Sequence, residues 1–88
     1  MNLSQHLERV ASLPCVICRF KLGVTKYGVE VHHPTVPRRK WLVCPLCWEH
    51  HHGATGVHGL HRRGFERFWK VTDYDLLDWT WQLLAKKT

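Results

Sequence analysis

Cysteine and histidine side chains are concentrated in the middle of this 88-residue chain. His32 and His33 form one pair, and a run of three histidines begins at His50. Two Cys-x-x-Cys pairs, 15/18 and 44/47, lie on either side of the first histidine pair. Neutral imidazole and thiolate are the side-chain ligands that divalent transition metals prefer. These residues exceed the four ligands of one tetrahedral site, so they predict a structural metal site and a second, functional one.

A structural zinc ion needs four protein ligands, and we expect Cys15 and Cys18 to supply the first two. The sequence leaves two solutions for the other pair. Cys44 and Cys47 have the spacing of a second zinc knuckle, whereas Cys47 and His50 would meet at positions i and i+3 of a helix that begins near Cys47. In the second solution Cys44 lies on a strand as a small buried hydrophobe.

The remaining histidines predict an open site beside the zinc. Because neighbouring strand residues point to opposite faces, His32 and His33 cannot both bind one metal unless the strand ends between them. Neighbouring helical residues are offset by about 100 degrees, so His50 and His51 can serve two different sites. A strand-end histidine pair opposite a helix-borne histidine can hold a catalytic cation and a general base side by side.

The charge balance favours a polyanionic partner. Thirteen lysines and arginines against seven acidic residues give a formal net charge of +6 and a pI of about 9.5. Solubility alone would also account for a basic chain, but grouped cations suggest a nucleic acid. The grouped basic residues are Arg38, Arg39, Lys40, Arg62, Arg63, Arg67 and Lys70.

The amino-terminal sequence predicts a cytoplasmic protein with reduced thiols. Its first residues lead into a polar, helix-like segment without an apolar signal region, and no run approaches membrane-spanning length. Under reducing conditions, paired Cys-x-x-Cys motifs favour zinc over disulfides. A single domain of this size is also near the lower limit for folding on an apolar core alone, so a metal would reinforce it.

Local patterns place the candidate ligands at the ends of short elements. Residues 29–32 alternate apolar and polar, as a half-exposed strand does, and Pro34 and Pro37 then indicate a loop. The other predicted elements are a helix capped by Ser4 and ending at Ala11, a strand over 41–43, a helix from Pro45 or Cys47 to Gly53, a loop over 53–64, a short helix over 65–70 and a last helix from a Thr72–Asp75 capping box to about Lys86.

The tail tryptophans and the outlying histidines are expected to be structural or solvated. Trp69, Trp79 and Trp81 lie at helical spacing, which favours core packing over stacking on bases. Glu49 could orient a metal-bound histidine, although a solvated helix position is the expected case. His6 and His61 are predicted to face solvent, and His52 to face solvent or phosphate, with a ligand role as its alternative.

Several fragments together resemble a known nuclease superfamily. Val31-His32-His33, the strand 41–43 and the run 45–51 look like the ββα-metal core of HNH endonucleases. The longer string from 13–18 through 56–59, with 65–69 and Leu76-Leu77, is similar to the phage recombination-enhancement (Ref-like) branch. The resemblance covers roughly residues 13–84. It implies a single domain, 1–88, with a small α+β fold: a zinc-stabilised ββα-metal core over about 13–64, flanked by an N-terminal helix and by C-terminal helices over about 65–86.

The resemblance implies a metal-dependent DNA endonuclease or nickase. By position, His32 and His51 would bind the catalytic cation, and His33 would be the general base. His58 would be a third ligand or a phosphate contact. The implied cofactors are a structural Zn²⁺ and a catalytic Mg²⁺ or Mn²⁺, with Zn²⁺ as an alternative. The residues that would hold the DNA backbone are Arg38, Arg39, Lys40, Arg62 and Arg63.

Two positions depart from the family pattern. The single asparagine, Asn2, lies outside the motif in which the family uses asparagine to orient its base, and Val31 stands where an aspartate is usual. The resemblance also implies a role in phage or prophage recombination, with DNA and a RecA-type recombinase filament as partners. The alternative is a non-catalytic, zinc-stabilised basic DNA-binding module, which explains the cysteines and the charge but not the histidine clusters.

Overall fold

The computed structural model describes residues 1–34 and 39–87. Within these ranges the chain forms five helices and one two-stranded antiparallel sheet. This is a small α+β fold, as expected. In chain order the elements are α1 (Leu3–Ala11), α2 (Val16–Lys21), β1 (Glu30–His32), β2 (Cys44–Leu46), α3 (Trp48–His51), α4 (Val57–Trp69) and α5 (Asp73–Lys87).

The second strand lies three residues later than predicted. Strand β2 pairs with β1 so that Val31 faces Pro45 and His32 faces Cys44. The prediction of a strand over 41–43 is therefore wrong. All three residues of β2 are buried, which removes the alternation that would reveal it, and Pro45 argues against a strand because it lacks an N–H. Both strands of a two-stranded sheet are edges, where proline is tolerated.

Helix α3 follows the hairpin directly and completes a β–β–α sequence. Cys47 is its N-cap residue, so a start at Cys47 is confirmed and a start at Pro45 is wrong. The helix has only four residues, Trp48–His51, and its last turn carries His50 and His51. Helix α3 is in contact with β1, and His51 lies beside His32 at the end of that strand.

The glycine-rich segment after α3 is mostly helix, which corrects the prediction of a loop over 53–64. Helix α4 begins at Val57 after an extended Gly56, and it is interrupted at His61, where φ is 63° and ψ is 167°. A Cβ atom on Gly59 would collide with the carbonyl oxygen of Gly53, and one on Gly56 would lie 2.7 Å from the carbonyl carbon of His50. The glycines therefore allow α4 to approach α3 closely.

Helix α1 is capped by Asn2 and not, as predicted, by Ser4. The Asn2 side chain accepts a hydrogen bond from the Gln5 backbone N–H at 2.8 Å, and the Gln5 side-chain Oε1 accepts one from the Asn2 N–H at 3.0 Å. This capping box provides acceptors for two of the N–H groups that a helix start leaves without partners. The chain's single asparagine is therefore committed to a helix cap.

His6 is buried, although the sequence predicted a solvated side chain. It is 3% exposed, its Nε2 lies 2.8 Å from the Trp41 carbonyl oxygen, and its ring packs between those of Trp41 and Trp81. The contacts come from residues 35 and 75 positions away, so no local pattern could reveal them. This aromatic stack joins α1 to α5 and to the segment that precedes β2.

The last helix is confirmed together with its capping box. The Thr72 N–H donates to Asp75 Oδ2 at 2.9 Å, and the Asp75 N–H donates to Thr72 Oγ1 at 3.2 Å. Trp69 and Trp79 pack against the core as predicted, whereas Trp81 is half exposed. The buried side chains that form the apolar core include Val10, Leu13, Val16, Ile17, Phe65, Val71, Leu76, Leu83 and Leu84. None of the helices in the described ranges combines the length and the apolar character needed to cross a membrane.

Candidate metal centres

Three thiols and one imidazole converge in the interior to form a Cys₃His cluster. Cys15 and Cys18 lie at the start of α2, and Cys47 and His50 lie at the start and in the last turn of α3. His50 Nδ1 is 3.6 Å from Cys15 Sγ, 3.5 Å from Cys18 Sγ and 3.1 Å from Cys47 Sγ. All four residues are at least 95% buried.

The dimensions of the Cys₃His cluster fit a tetrahedral zinc ion. With Zn–S bonds of about 2.3 Å and Zn–N bonds of about 2.0–2.1 Å, a tetrahedron has S···N edges of about 3.6 Å and S···S edges of about 3.8 Å. Two of the S···N distances match this edge and one is shorter, while Cys18 Sγ and Cys47 Sγ lie 4.0 Å apart. The four candidate ligand atoms lie within 4.8 Å of one another. The cluster is therefore a possible site for a structural metal such as zinc.

Of the two solutions left open by the sequence, the structure brings His50 to the cluster and leaves Cys44 outside it. Cys44 lies on β2 with no exposed surface, and burial raises the pKa of its thiol. Burial also raises the pKa of Cys15, and raises the pKa of Cys18 to about 12, with further upward contributions from the neighbouring thiols. Thiols this reluctant to ionise need a metal cation to displace their protons.

Trp69 covers the Cys₃His cluster from the side of α4. Its ring meets that of His50 edge to face at a centroid distance of 5.0 Å, and its Nε1–H donates to the Thr55 carbonyl at 2.8 Å. The sequence signals only that Trp69 lies on an apolar helix face; its contact with the ligand depends on the close approach of α4 to α3. The tryptophan therefore packs directly against the histidine of the cluster.

A second, more open group consists of His32, His51 and His58. His32 Nδ1 and His51 Nε2 are 3.2 Å apart, a separation that two ligands of one cation also have. The His58 ring centroid lies 4.8 Å from that of His51 and 5.9 Å from that of His32. His32 and His51 are buried and His58 is exposed. We call this group the histidine triad; its three candidate ligand atoms lie within 4.8 Å of one another.

The histidine triad opens into a surface cavity of about 400 Å³. His33 follows directly after β1 and is exposed, whereas His32 is 7% exposed, so the pair divides between the rim and the interior as the strand geometry predicts. His61 also lies on the wall of this cavity. The lining residues are Val31, His32, His33, His51, Val57, His58, His61 and Arg62.

Burial keeps the inner imidazoles neutral. It lowers the pKa of His32 to about 4, with smaller contributions from the nearby His51 and His58 rings. Burial also lowers the pKa of His51, although a hydrogen bond to Glu30 acts in the opposite direction. At neutral pH both rings therefore carry a free lone pair, which is the form that binds a divalent cation.

Glu30 is a site residue that the sequence reasoning missed. Its Oε1 lies 2.8 Å from His51 Nδ1 and 3.3 Å from His52 Nε2. Glu49, the acidic residue considered from the sequence, instead pairs with Lys26 Nζ at 3.6 Å and is 68% exposed in its side chain. The two-residue period of a strand could have identified Glu30, because Glu30 and His32 are two residues apart on β1 and so share a face.

Of the basic residues in the described ranges that were predicted to contact DNA, one lines the cavity and the others do not. Arg62 lines the cavity, and its Nε lies 3.5 Å from Asp73 Oδ2 and 3.7 Å from Glu66 Oε1. The other candidates for DNA contact, Arg39, Lys40 and Arg63, are exposed and lie outside the cavity lining, while Arg38 lies outside the described residues.

Comparison with protein-family models finds no match for this chain, and comparison with curated proteins finds none either. The functional inference therefore depends on the residues and geometry of the chain itself.

Proposed function

We propose that this protein is a metal-dependent DNA endonuclease or nickase of the HNH type, related to the Ref-like branch. The observation that carries the proposal is the convergence of His32 Nδ1 and His51 Nε2 to 3.2 Å, with His58 beside them, at the base of an open cavity. A structural zinc ion would need only the four ligands of the buried Cys₃His cluster, so a purely structural role does not account for the histidine triad.

The arrangement of elements supports the proposal. Two antiparallel strands run directly into α3, which is the β–β–α order of the superfamily that the sequence resembles. His32 lies at the end of β1, and His51 lies in the last turn of α3. The elements thus bring the strand-end histidine and the helical histidine together across a short distance.

The proposed roles of the triad follow from its chemistry. His32, His51 and His58 would hold a divalent cation through neutral ring nitrogens. When bound, such a cation supplies electrostatic stabilisation of the charge that develops on the phosphate and on the leaving oxygen. One side of the site is open to solvent, because the exposed His58 is part of the cavity lining.

His33 is the proposed general base. It lies at the rim of the same cavity, one residue beyond the buried His32, where a water molecule and a DNA strand have access. An imidazole at neutral pH can accept a proton from a positioned water as that water attacks phosphorus. Because Asn2 caps α1, the orienting role that asparagine has in the family would fall to another group here.

Arg62 is the proposed phosphate contact within the cavity. Its guanidinium is oriented by Asp73, which is 7% exposed, and by Glu66 on the next turn of α4. A guanidinium beside the histidines would position a phosphate without reading base sequence. The exposed Arg39, Lys40 and Arg63 would extend this contact along the DNA backbone.

A second candidate function is a non-catalytic DNA-binding module stabilised by zinc. The net charge of +6 and the Cys₃His cluster favour it, since neither requires cleavage. The two functions differ in what they require of His33, which a binding module does not need as a base.

Cleavage assays with His33→Ala separate these functions. We expect the wild-type protein to nick or cut single-stranded, duplex or branched DNA when Mg²⁺ or Mn²⁺ is added. His33→Ala should lower the rate about 10²–10⁴-fold, the usual contribution of a general base, while DNA affinity and zinc content stay unchanged. DNA binding without cleavage by the wild type under every cation would favour the binding module, and equal cleavage by the variant would refute the assignment of His33.

A further inference from the structure

We infer that Glu30 is a positioning residue that fixes the tautomer of His51 and thereby directs the bare His51 Nε2 at the cation position. The inference rests on the proposed function in that it assumes a cation held by the histidine triad. It adds a residue of β1 that does not itself join the triad but determines how its members are oriented.

The contact geometry determines the proton position. An ionised carboxylate only accepts hydrogen bonds, so the 2.8 Å contact between Glu30 Oε1 and His51 Nδ1 requires the proton to be on Nδ1. A neutral imidazole carries one ring proton, which leaves Nε2 with a free lone pair. That nitrogen is the one that lies 3.2 Å from His32 Nδ1. The hydrogen bond therefore orients His51 for binding a cation.

Without Glu30 the His51 ring can adopt either tautomer. The form with a proton on Nε2 would direct an N–H into the space between His51 and His32, where the cation should lie. Cation binding would then require the other tautomer, and it would also have to fix the orientation of a His51 ring that no longer has its hydrogen bond to Glu30. Loss of such an outer partner of a metal-bound histidine typically lowers metal affinity 10–100-fold.

Glu30 also reaches the third histidine of the triad through His52. The same Oε1 lies 3.3 Å from His52 Nε2, and the His52 ring stacks on that of His58 at a centroid distance of 4.9 Å and an angle of 19°. One carboxylate on β1 thus holds His51 of α3 directly and supports His58 of α4 through a stacked ring. From the strand face that it shares with His32, Glu30 therefore acts on two of the three ligands, one directly and one through His52.

Glu49 provides a matched control on the same short helix as His51. It is also a glutamate near the two clusters, but its carboxylate pairs with Lys26 and is more exposed than that of Glu30, whose side chain is 45% exposed. Replacing Glu49 removes a similar charge from the same region without touching the histidine triad. Electrostatic attraction alone would make both substitutions lower cation affinity to a similar degree.

The test compares Glu30→Ala, Glu30→Gln and Glu49→Ala in the zinc-loaded protein. Nitrogen-15 NMR of labelled histidines reads the His51 tautomer, and titration with Mn²⁺ reads affinity. We expect His51 to be protonated at Nδ1 in the wild type and in Glu49→Ala, and to lose that preference in Glu30→Ala with a 10–100-fold weaker Mn²⁺ affinity. Glu30→Gln should recover most of both, because its amide oxygen still accepts from Nδ1–H.

Wild-type tautomer and Mn²⁺ affinity in Glu30→Ala would overturn the inference, as would a wild type that binds no Mn²⁺ outside the Cys₃His cluster. Two Mn²⁺ ions per chain, one of which is lost in Glu30→Ala, would also overturn it, because Glu30 would then be a ligand together with His51 and His52. If the NMR and Mn²⁺ results hold while no DNA is cleaved, the role of Glu30 stands and only the nuclease function fails.

Discussion

His50 and His51 are neighbours in the chain, yet their rings belong to two different clusters. His50 Nδ1 lies among the sulfurs of Cys15, Cys18 and Cys47, whereas His51 Nε2 lies 3.2 Å from His32 Nδ1. A rotation of about 100 degrees per helical residue accounts for the division. Because both clusters depend on the four residues of α3, disturbing the inner cluster should also disturb the outer one.

Removing a cysteine ligand should strongly destabilise this small domain, whereas removing Cys44 should not release metal. We expect about one tightly bound zinc per chain in the wild type and in Cys44→Ala, and none in Cys18→Ser. Because zinc-binding free energy is folding free energy, on the order of 10 kcal/mol in zinc fingers, Cys18→Ser should lower the free energy of unfolding by at least about 3 kcal/mol. Metal analysis measures the zinc content, and urea unfolding measures the free energy of unfolding. Zinc loss in Cys44→Ala would contradict the assignment of His50 as the fourth ligand.

Adding one methyl group at Gly59 should push α4 away from the turn that follows α3. The new Cβ would collide with the Gly53 carbonyl, so we expect Gly59→Ala to cost about 1–3 kcal/mol of unfolding free energy and to weaken Mn²⁺ binding by displacing His58. Gly64→Ala is the control on the same helix: its Cβ meets only the Leu60 side chain at 3.3 Å, and alanine favours a helix by up to about 1 kcal/mol. Equal stability of the two variants would contradict the close helix contact.

Acidification should destabilise the fold through His32. Its pKa is about 4 in the folded chain, against an ordinary value of 6.5. Between these values the unfolded chain binds a proton that the folded chain does not, so stability falls as pH decreases from 6.5 to 4, by at most roughly 3 kcal/mol. The rings of His51 and His58, which face His32 from α3 and α4, contribute to the lowered pKa.

The pH effect is measured by urea unfolding of zinc-loaded protein without other added cations. His32→Gln lacks the titrating ring, and subtracting its profile removes the pH dependence of zinc binding that both proteins share. The difference between the two profiles should decrease toward low pH and level off below about pH 4. Parallel profiles would contradict the burial of a neutral His32.

Arg62 and Arg63 should contribute to DNA cleavage in different ways. Arg62 lines the cavity and Arg63, its neighbour, is exposed outside the lining. Arg62→Ala should therefore lower the cleavage rate at saturating DNA, whereas Arg63→Ala should weaken binding and reduce its salt dependence with little change in that rate. Rates and affinities at two salt concentrations test this, and identical effects of the two variants would mean that Arg62 acts only as a backbone contact.

Much of the ligand set could be predicted because it depends on the spacing of residues that are close in sequence. The Cys-x-x-Cys spacing at 15/18 and the Cys-x-x-His spacing at 47/50 are properties of a single turn, and those four residues form the cluster. The helical offset of His50 and His51 likewise depends only on backbone geometry. Whether Cys44 or His50 completes the cluster could not be decided, because it depends on a strand whose proline and uniform burial conceal it.

The remaining differences come from contacts between distant segments. His6 is buried by Trp41 and Trp81, which no pattern within α1 indicates. Glu30 acquires its contacts only when α3 stands beside β1. The segment after α3 has the glycine content of a loop, but Gly59 lies within α4 and allows the helix to touch the Gly53 carbonyl in the turn after α3.

The contact of Gly59 with Gly53 also limits how this protein can vary. Main-chain atoms meet there without an intervening side chain, so the gap between α4 and the turn that follows α3 has the size of a peptide group. Exchanging apolar residues elsewhere in the core changes side-chain volumes but leaves that gap as it is. Variants with a different cation preference should therefore arise by replacing the histidines themselves, since repacking around them cannot widen or narrow the space between that turn and α4.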